Sequence, residues 1–470
     1  MPNNDATPPG LSRNALSVGD LLVAGMSYMA PGFSFFFTTA LIVGAAGKQA
    51  PIAYLLAGLG VLATGAAFAE FSRFAPSAGA LQVFVERGFG RIASTAAGLV
   101  LLAGYILLQA GVLTLAGGWS ARLIDNAFGV TIPWPILSLV ALVITTALMT
   151  RGTQLSIRAT LVLFLIEFAL VALVTLIVVI RGGQDGLTAT PFDITDLANG
   201  WSGIALAMIS CVFAFVGFEG AISFAEETPN PRKAVPIAVL GGVLAMVGLY
   251  VFGTYAAVIG FGVDNLDQLT SDAEPVATLA SRYAPVLEPL LAIAVLTSIF
   301  ANLMAAGNAN ARILFNMGRD GAVSRRFGAV TSRHSTPAVA IVFFMVSTAV
   351  LCLLAALKWD YLTGFGSLAG LGALLAILIY MVAAIALPFY VRKSGHPLNV
   401  WRHVVIPVVG AGIWLIPLWG TLKPGQAFPA NTYPLIGVAL IIIATLYATL
   451  TRRRKPVTSE HDRAQVPTEI

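Results

Sequence analysis

Charge is missing from most of this chain. Asp, Glu, Lys and Arg are absent from 21–47, 49–69, 92–121, 126–150, 197–218, 234–263, 289–311, 334–357, 361–391, 403–422 and 424–451, eleven runs of 20 residues or more. A twelfth apolar stretch, 159–180, holds a single charge, Glu167. A helix needs about 20 apolar residues to cross a bilayer. The pattern therefore predicts an all-α membrane protein of twelve spanning helices. The loops between them are short, and a large soluble domain has nowhere to sit.

Composition agrees with this pattern. Of 470 residues, 57% are hydrophobic and 10% are charged, and the mean hydropathy is +0.86. Soluble domains carry about 25% charged residues, so an ordinary soluble enzyme, a disordered chain and a coiled coil are all excluded. Cys211 and Cys352 lie inside apolar runs, frame no loop and imply no disulfide.

The net charge of +5 has a topological explanation rather than a nucleic-acid one. When loops are alternated from an inside N-terminus, 21 of the 27 Lys and Arg residues fall on the inside set. The opposite loops are acidic instead, with Asp185, Asp193, Asp196, Asp264, Asp267, Asp272 and Glu274. Basic residues stay on the cytoplasmic side. Both termini are expected in the cytoplasm, with the chain multi-pass in the cytoplasmic (inner) membrane. The run Arg452–Lys455 is placed to meet anionic lipid.

Two spans are interrupted. The first reads Gly25-Met26-Ser27-Tyr28-Met29-Ala30-Pro31-Gly32-Phe33, where Pro31 removes a donor and Gly32 relaxes the backbone. A simple proline kink is the competing reading. The sixth reads Phe213-Ala214-Phe215-Val216-Gly217-Phe218-Glu219-Gly220, a carboxylate bracketed by glycines at membrane depth. Charged residues there are costly and usually face a cavity. Breaks five helices apart fall at matching positions of two five-helix halves, which is the inverted repeat of secondary transporters. The expected organisation is a disordered lead (1–15), a first repeat (16–180), a second repeat (198–391), helices 11 and 12 (401–451) and a basic tail (452–470).

Three motifs carry a family resemblance. Phe213 to Pro236 contains Gly217-Phe218-Glu219 and then Glu226-Glu227-Thr228-Pro229-Asn230-Pro231-Arg232. Glu70 to Gly90 contains an acidic residue followed by Pro76-Ser77-Ala78-Gly79. Arg312 to Gly321 follows span eight. Together they resemble the amino acid–polyamine–organocation superfamily, and its amino-acid permeases in particular. The resemblance covers nearly all of 15–450. It implies the fold of leucine-type sodium symporters and ion-coupled transport (symport) of amino acids or amines. The first helix departs from the family's Gly-x-Gly-Ile-Phe-like pattern, with Met29-Ala30-Pro31-Gly32-Phe33-Ser34 in its place.

Under that resemblance, the half-helix N-terminus at Ala30, Pro31, Gly32 and Phe33 suits a substrate carboxylate. The carbonyls around Phe215, Val216 and Gly217 suit an ammonium. Phe213 falls where the family often keeps an aromatic gate, its alternative being a lipid-facing or core position. Glu219 has three roles open to it: holding a cationic substrate, taking a proton, or capping bare N–H groups. Glu167 falls where some proton-coupled members place a lysine in the position of a bound sodium. Proton coupling, a structural hydrogen bond and a sodium ligand all remain open for it. Thr297, Ser298 and Asn302 are its possible partners, although such hydroxyls often bond only their own backbone. Glu70, Glu226 and Asp320 lie among arginines at cytoplasmic ends, as an inner gate or as surface ion pairs.

No cofactor or metal is expected. The four histidines, His334, His396, His403 and His461, fall in inside loops, the tail or a span end, which argues against a membrane-embedded enzyme. A secondary transporter of an amino acid or small amine is the favoured class, with a polyamine or amine exchanger or a non-transporting sensor on the same fold as alternatives. The expected partners are that substrate, a proton rather than sodium, and the bilayer. Neutral amino acids or small amines are favoured because no Lys or Arg lies deep in a span.

Overall fold

A computed structural model describes residues 18–74, 80–152, 157–223, 230–331 and 336–451. The lead before position 18, the Pro76–Gly79 and Glu226–Pro229 parts of the motifs, and the tail from Arg452 lie outside the described residues.

Every regular element among the described residues is helical. In chain order they are α1 (Val18–Met29), α2 (Pro31–Ala46), α3 (Ala50–Phe74), α4 (Ala80–Phe89), α5 (Arg91–Phe128), α6 (Trp134–Thr150), α7 (Ile157–Ile180), α8 (Gly200–Phe215), α9 (Gly220–Ser223), α10 (Pro231–Phe261), α11 (Leu266–Ser271), α12 (Pro275–Tyr283), α13 (Glu288–Arg319), α14 (Ala338–Ala356), α15 (Tyr361–Lys393), α16 (Ile406–Leu422) and α17 (Tyr433–Thr451). A helix satisfies its own backbone polar groups, which hydrocarbon cannot do. Each charge-poor run accordingly carries helix among its described residues.

Nine described runs are long and apolar enough to cross a membrane. The difference from twelve has a plain origin. Leu21–Phe74 is one continuous apolar run carrying α1, α2 and α3, while Trp134–Thr150 and Gly200–Phe215 are apolar but shorter. Outward faces are apolar as well: Leu165, Ile166 and Leu176 on α7, and Leu435, Val438 and Ile443 on α17, are all exposed.

Close helix approach fixes the middle of the bundle. α5 runs along α15, and a Cβ on Gly372 would sit 2.7 Å from the Gly104 carbonyl oxygen. Small residues give helices in lipid the contact that a hydrophobic driving force gives in water. α2 packs on α8, α3 on α10 and α1 on α10, which brings the two interrupted segments together.

The interruptions differ from ordinary kinks. Pro236, Pro388 and Pro417 lie inside helices that continue past them. Between α1 and α2 the turn is made by Ala30, held at φ 43° and ψ 66°. That left-handed conformation is uncommon for a residue with a side chain. Pro31 then opens α2, where its missing N–H is not needed. The second break spans 216–219, with Gly217 at φ +109°.

Candidate functional site

The two breaks touch each other. A Cβ on Gly217 would lie 2.9 Å from the backbone carbonyl carbon of Tyr28, and one on Gly220 would lie 3.1 Å from its ring. The glycines that bracket Glu219 thus let the last turn of α1 approach closely. On the other side, Asn302 of α13 donates its amide to the Tyr28 carbonyl at 3.5 Å.

Glu167 ties the first break to α13. It is buried within α7. Its Oε1 accepts from the backbone N–H of Gly32, in the first turn of α2, and from the Ser298 hydroxyl at 2.8 Å. A helix start leaves several N–H groups unpaired and carries partial positive charge. Ala30 offers no side-chain cap, so a carboxylate from another helix supplies the acceptor. A Cβ on Gly32 would fall onto the Glu167 side chain. Of the three suggested partners, Ser298 meets Glu167, Asn302 meets Tyr28, and Thr297 donates to the Ala294 carbonyl of its own helix at 2.9 Å.

Glu219 occupies the second break. Its Oε1 accepts from the Tyr105 hydroxyl at 2.5 Å and the Tyr380 hydroxyl at 2.9 Å, and its Oε2 from the Gly217 N–H at 3.1 Å. The side chain joins α5, the break and α15. The neighbouring carbonyls of Phe215 and Gly217 accept from the N–H groups of Phe218 and Gly220. Phe215 itself points into the core, edge-on to Tyr54 and Tyr250.

A cavity of about 520 Å³ opens beside these groups. Of the residues singled out in the sequence, Phe33, Phe213, Val216, Gly217, Glu219 and Asn302 line it. Ala30, Pro31, Gly32, Phe215, Glu167, Thr297 and Ser298 are not among its lining residues. Tyr28, Tyr105, Gln109, Arg312 and Arg319 line it without having been expected. The two arginines stand in the last third of α13, on the way to the loop that follows.

The far end is closed by rings. Phe213 lies edge-on to Phe33 and to Phe365, at 6.2 and 5.0 Å between centroids. Beyond them Phe36 and Phe37 pack against Trp119. Further out, Arg122 pairs with Glu274, which sits in the loop before α12. Burial pushes the Glu274 carboxyl up from its ordinary 4.5 to about 7, with Asp272 adding to the shift and Arg122 opposing it.

At the end of α3, Glu70 pairs with Arg73 at 2.9 Å and meets the buried His403 ring at 3.3 Å. Arg91 donates to the backbone carbonyl of Asp320 at 2.9 Å. Glu226 lies outside the described residues.

A helical bundle apolar enough to span a membrane, with a solute-sized cavity between interrupted helices, defines a multi-pass membrane protein built to accommodate a small molecule. The profile of the amino acid permease family matches residues 15–450, and the chain belongs to that family. It is a permease and not an enzyme. It is 26% identical to the branched-chain amino acid permease BcaP of Bacillus subtilis, over 80% of this chain and 81% of the relative. It is 25% identical to the low-affinity putrescine importer PlaP of Escherichia coli K12, over 92% of this chain and 94% of the relative. With the methylthioribose transporter of B. subtilis it shares 24% identity, over 85% and 87%.

Two outcomes follow from this geometry. Gly32→Ala should destabilise the purified protein by about 1–3 kcal/mol, as overpacking does. In a double-mutant cycle with Glu167→Ala the two costs should be non-additive by about 0.5–3 kcal/mol. Thermal melts of the four proteins read this directly, and additive costs would show that the groups do not meet.

The second concerns Glu274. A carboxyl whose folded value is raised binds its proton more tightly in the folded state. Its contribution to stability is therefore complete below pH 4.5 and is lost as pH rises toward about 7. The wild-type melting temperature should fall across that window more steeply than that of Glu274→Gln. Parallel curves would remove Glu274 as the cause.

Proposed function

We propose that this permease moves a neutral amino acid or small amine across the cytoplasmic membrane by alternating access, coupled to protons through Glu167. In this reading the chain makes twelve spans with both ends inside. Residues 16–180 and 198–391 form inverted five-helix repeats, with helices 11 and 12 outside them. The cavity mouth at Arg312 and Arg319 then faces the cytoplasm, and the ring cluster closes the outside.

The observation that carries the reading is the placement of Glu167, a titratable group buried between the first break and α13. A carboxylate accepts charge-assisted hydrogen bonds, and protonation weakens them. Gaining a proton would loosen the Gly32 and Ser298 contacts together and free α2 to move against α13. Losing it would draw them back. Sodium would need several oxygen ligands and no exchangeable proton.

The substrate would lie against Phe33, Phe213, Val216 and Gly217, with Glu219 at the floor. Glu219 already holds two tyrosine hydroxyls and the Gly217 N–H. That supports a capping role which keeps the second break in shape. The relatives bear on substrate class: BcaP is named for branched-chain amino acids and PlaP for putrescine.

Glu167→Gln should retain binding and substrate exchange in proteoliposomes while losing accumulation driven by an imposed proton gradient. Accumulation that depends on sodium and ignores the proton gradient would overturn the proposal. So would a Glu167→Gln protein that still concentrates its substrate.

A further inference from the structure

A second concavity lies on the outer surface, away from the transport cavity. It is an open groove of about 1050 Å³ between α5, α14, α15 and α17. Ser347 is the one polar residue among those lining it. Val339, Val342, Phe343, Val346 and Val350 of α14 form its exposed wall. At one end the groove is finished by Phe327, whose ring meets Phe343 edge-on at 5.1 Å.

That end carries charge. Arg325 and Arg326 directly precede Phe327 in a short 3-10 turn between α13 and α14, and both are exposed. Neither forms an ion pair with a carboxylate among the described residues. From Ala338 to Leu351 the groove follows α14 for about 20 Å at 1.5 Å per residue. Half of a bilayer's hydrocarbon is about 15 Å thick. The groove thus begins at the N-terminal end of α14 and is long enough to run the depth of one leaflet.

We propose that this groove is a binding site for an anionic glycerophospholipid, with an acyl chain along α14 and the headgroup phosphate against Arg325 and Arg326. A cationic mouth on an apolar channel complements a lipid, whose charge and hydrocarbon are joined in the same order. Basic pockets at helix ends hold anionic headgroups in this way. A second copy of the chain fits less well, since a symmetric contact here would bring these arginines toward their own counterparts. Phe327 and the loop that holds it follow α13, so an occupied groove would brace the cytoplasmic end of the helix that carries Ser298 and Asn302.

Native mass spectrometry of the full chain in detergent tests this, with dioleoylphosphatidylglycerol and dioleoylphosphatidylcholine as probes. The unaltered protein should retain the phosphatidylglycerol about thirtyfold more readily than the phosphatidylcholine, in line with the attraction of two basic residues for an anionic headgroup. Arg325→Gln with Arg326→Gln should bring the two lipids to parity. Val346→Trp, at a position 54% exposed, should fill the groove and reduce retention with both arginines in place. Equal retention by the unaltered protein would overturn the site, as would a preference that survives the double arginine change or retention that Val346→Trp leaves unaltered. A dimer that Val346→Trp dissociates would assign the groove to a second copy and also overturn it. No transport is measured, so failure here leaves the carrier reading untouched.

Discussion

The contact between Glu167 and the start of α2 is the constraint around which the centre of this molecule is arranged. A helix interrupted inside a membrane leaves N–H groups that lipid cannot satisfy. The chain meets that demand from a different helix, through a carboxylate that also takes the Ser298 hydroxyl. Three elements, α2, α7 and α13, are joined at one side chain. Gly32 follows from this, because any side chain there would occupy the space of Glu167. The left-handed turn at Ala30 sets the direction in which Gly32 presents its N–H.

The second break solves the same problem locally. Glu219 folds back onto the Gly217 N–H and takes two phenol hydroxyls from α5 and α15. The two carboxylates therefore differ in what they hold. One sits at the cavity and fixes the shape of its own segment. The other stands behind the cavity lining and ties a half-helix to the surrounding helices. A substrate carboxylate directed at the α2 N-terminus would meet donors of which Gly32 is already engaged.

Much of this was legible in the sequence because charge in a membrane span is rare. Glu167 and Glu219 stood out against apolar neighbours, and both lie at the breaks. Their partners did not stand out. Tyr105 and Tyr380 are 114 and 161 residues from Glu219, and a tyrosine in an apolar run reads as ordinary core. A buried phenol does need a hydrogen-bond partner, which is the signal that pairs them with a buried acid. Ser298 was one hydroxyl beside Thr297, and helix register alone directs the first to Glu167 and leaves the second on its own backbone. Pro31 was read as the breaker, yet the turn belongs to Ala30, because a propensity scale does not show a strained φ on alanine. The count of twelve spans also outran what helix length alone supports, since α6 and α8 are short.

The proposed coupling through Glu167 would make substrate binding and proton binding two sides of one equilibrium, in which linkage requires each to change the other. Weakly buffered detergent solution with a pH indicator exposes that exchange without a membrane or a gradient. Adding a substrate that wild type binds should move protons between protein and solvent, and the same addition to Glu167→Gln should move none while still being bound. Equal proton exchange by the two proteins would contradict the account.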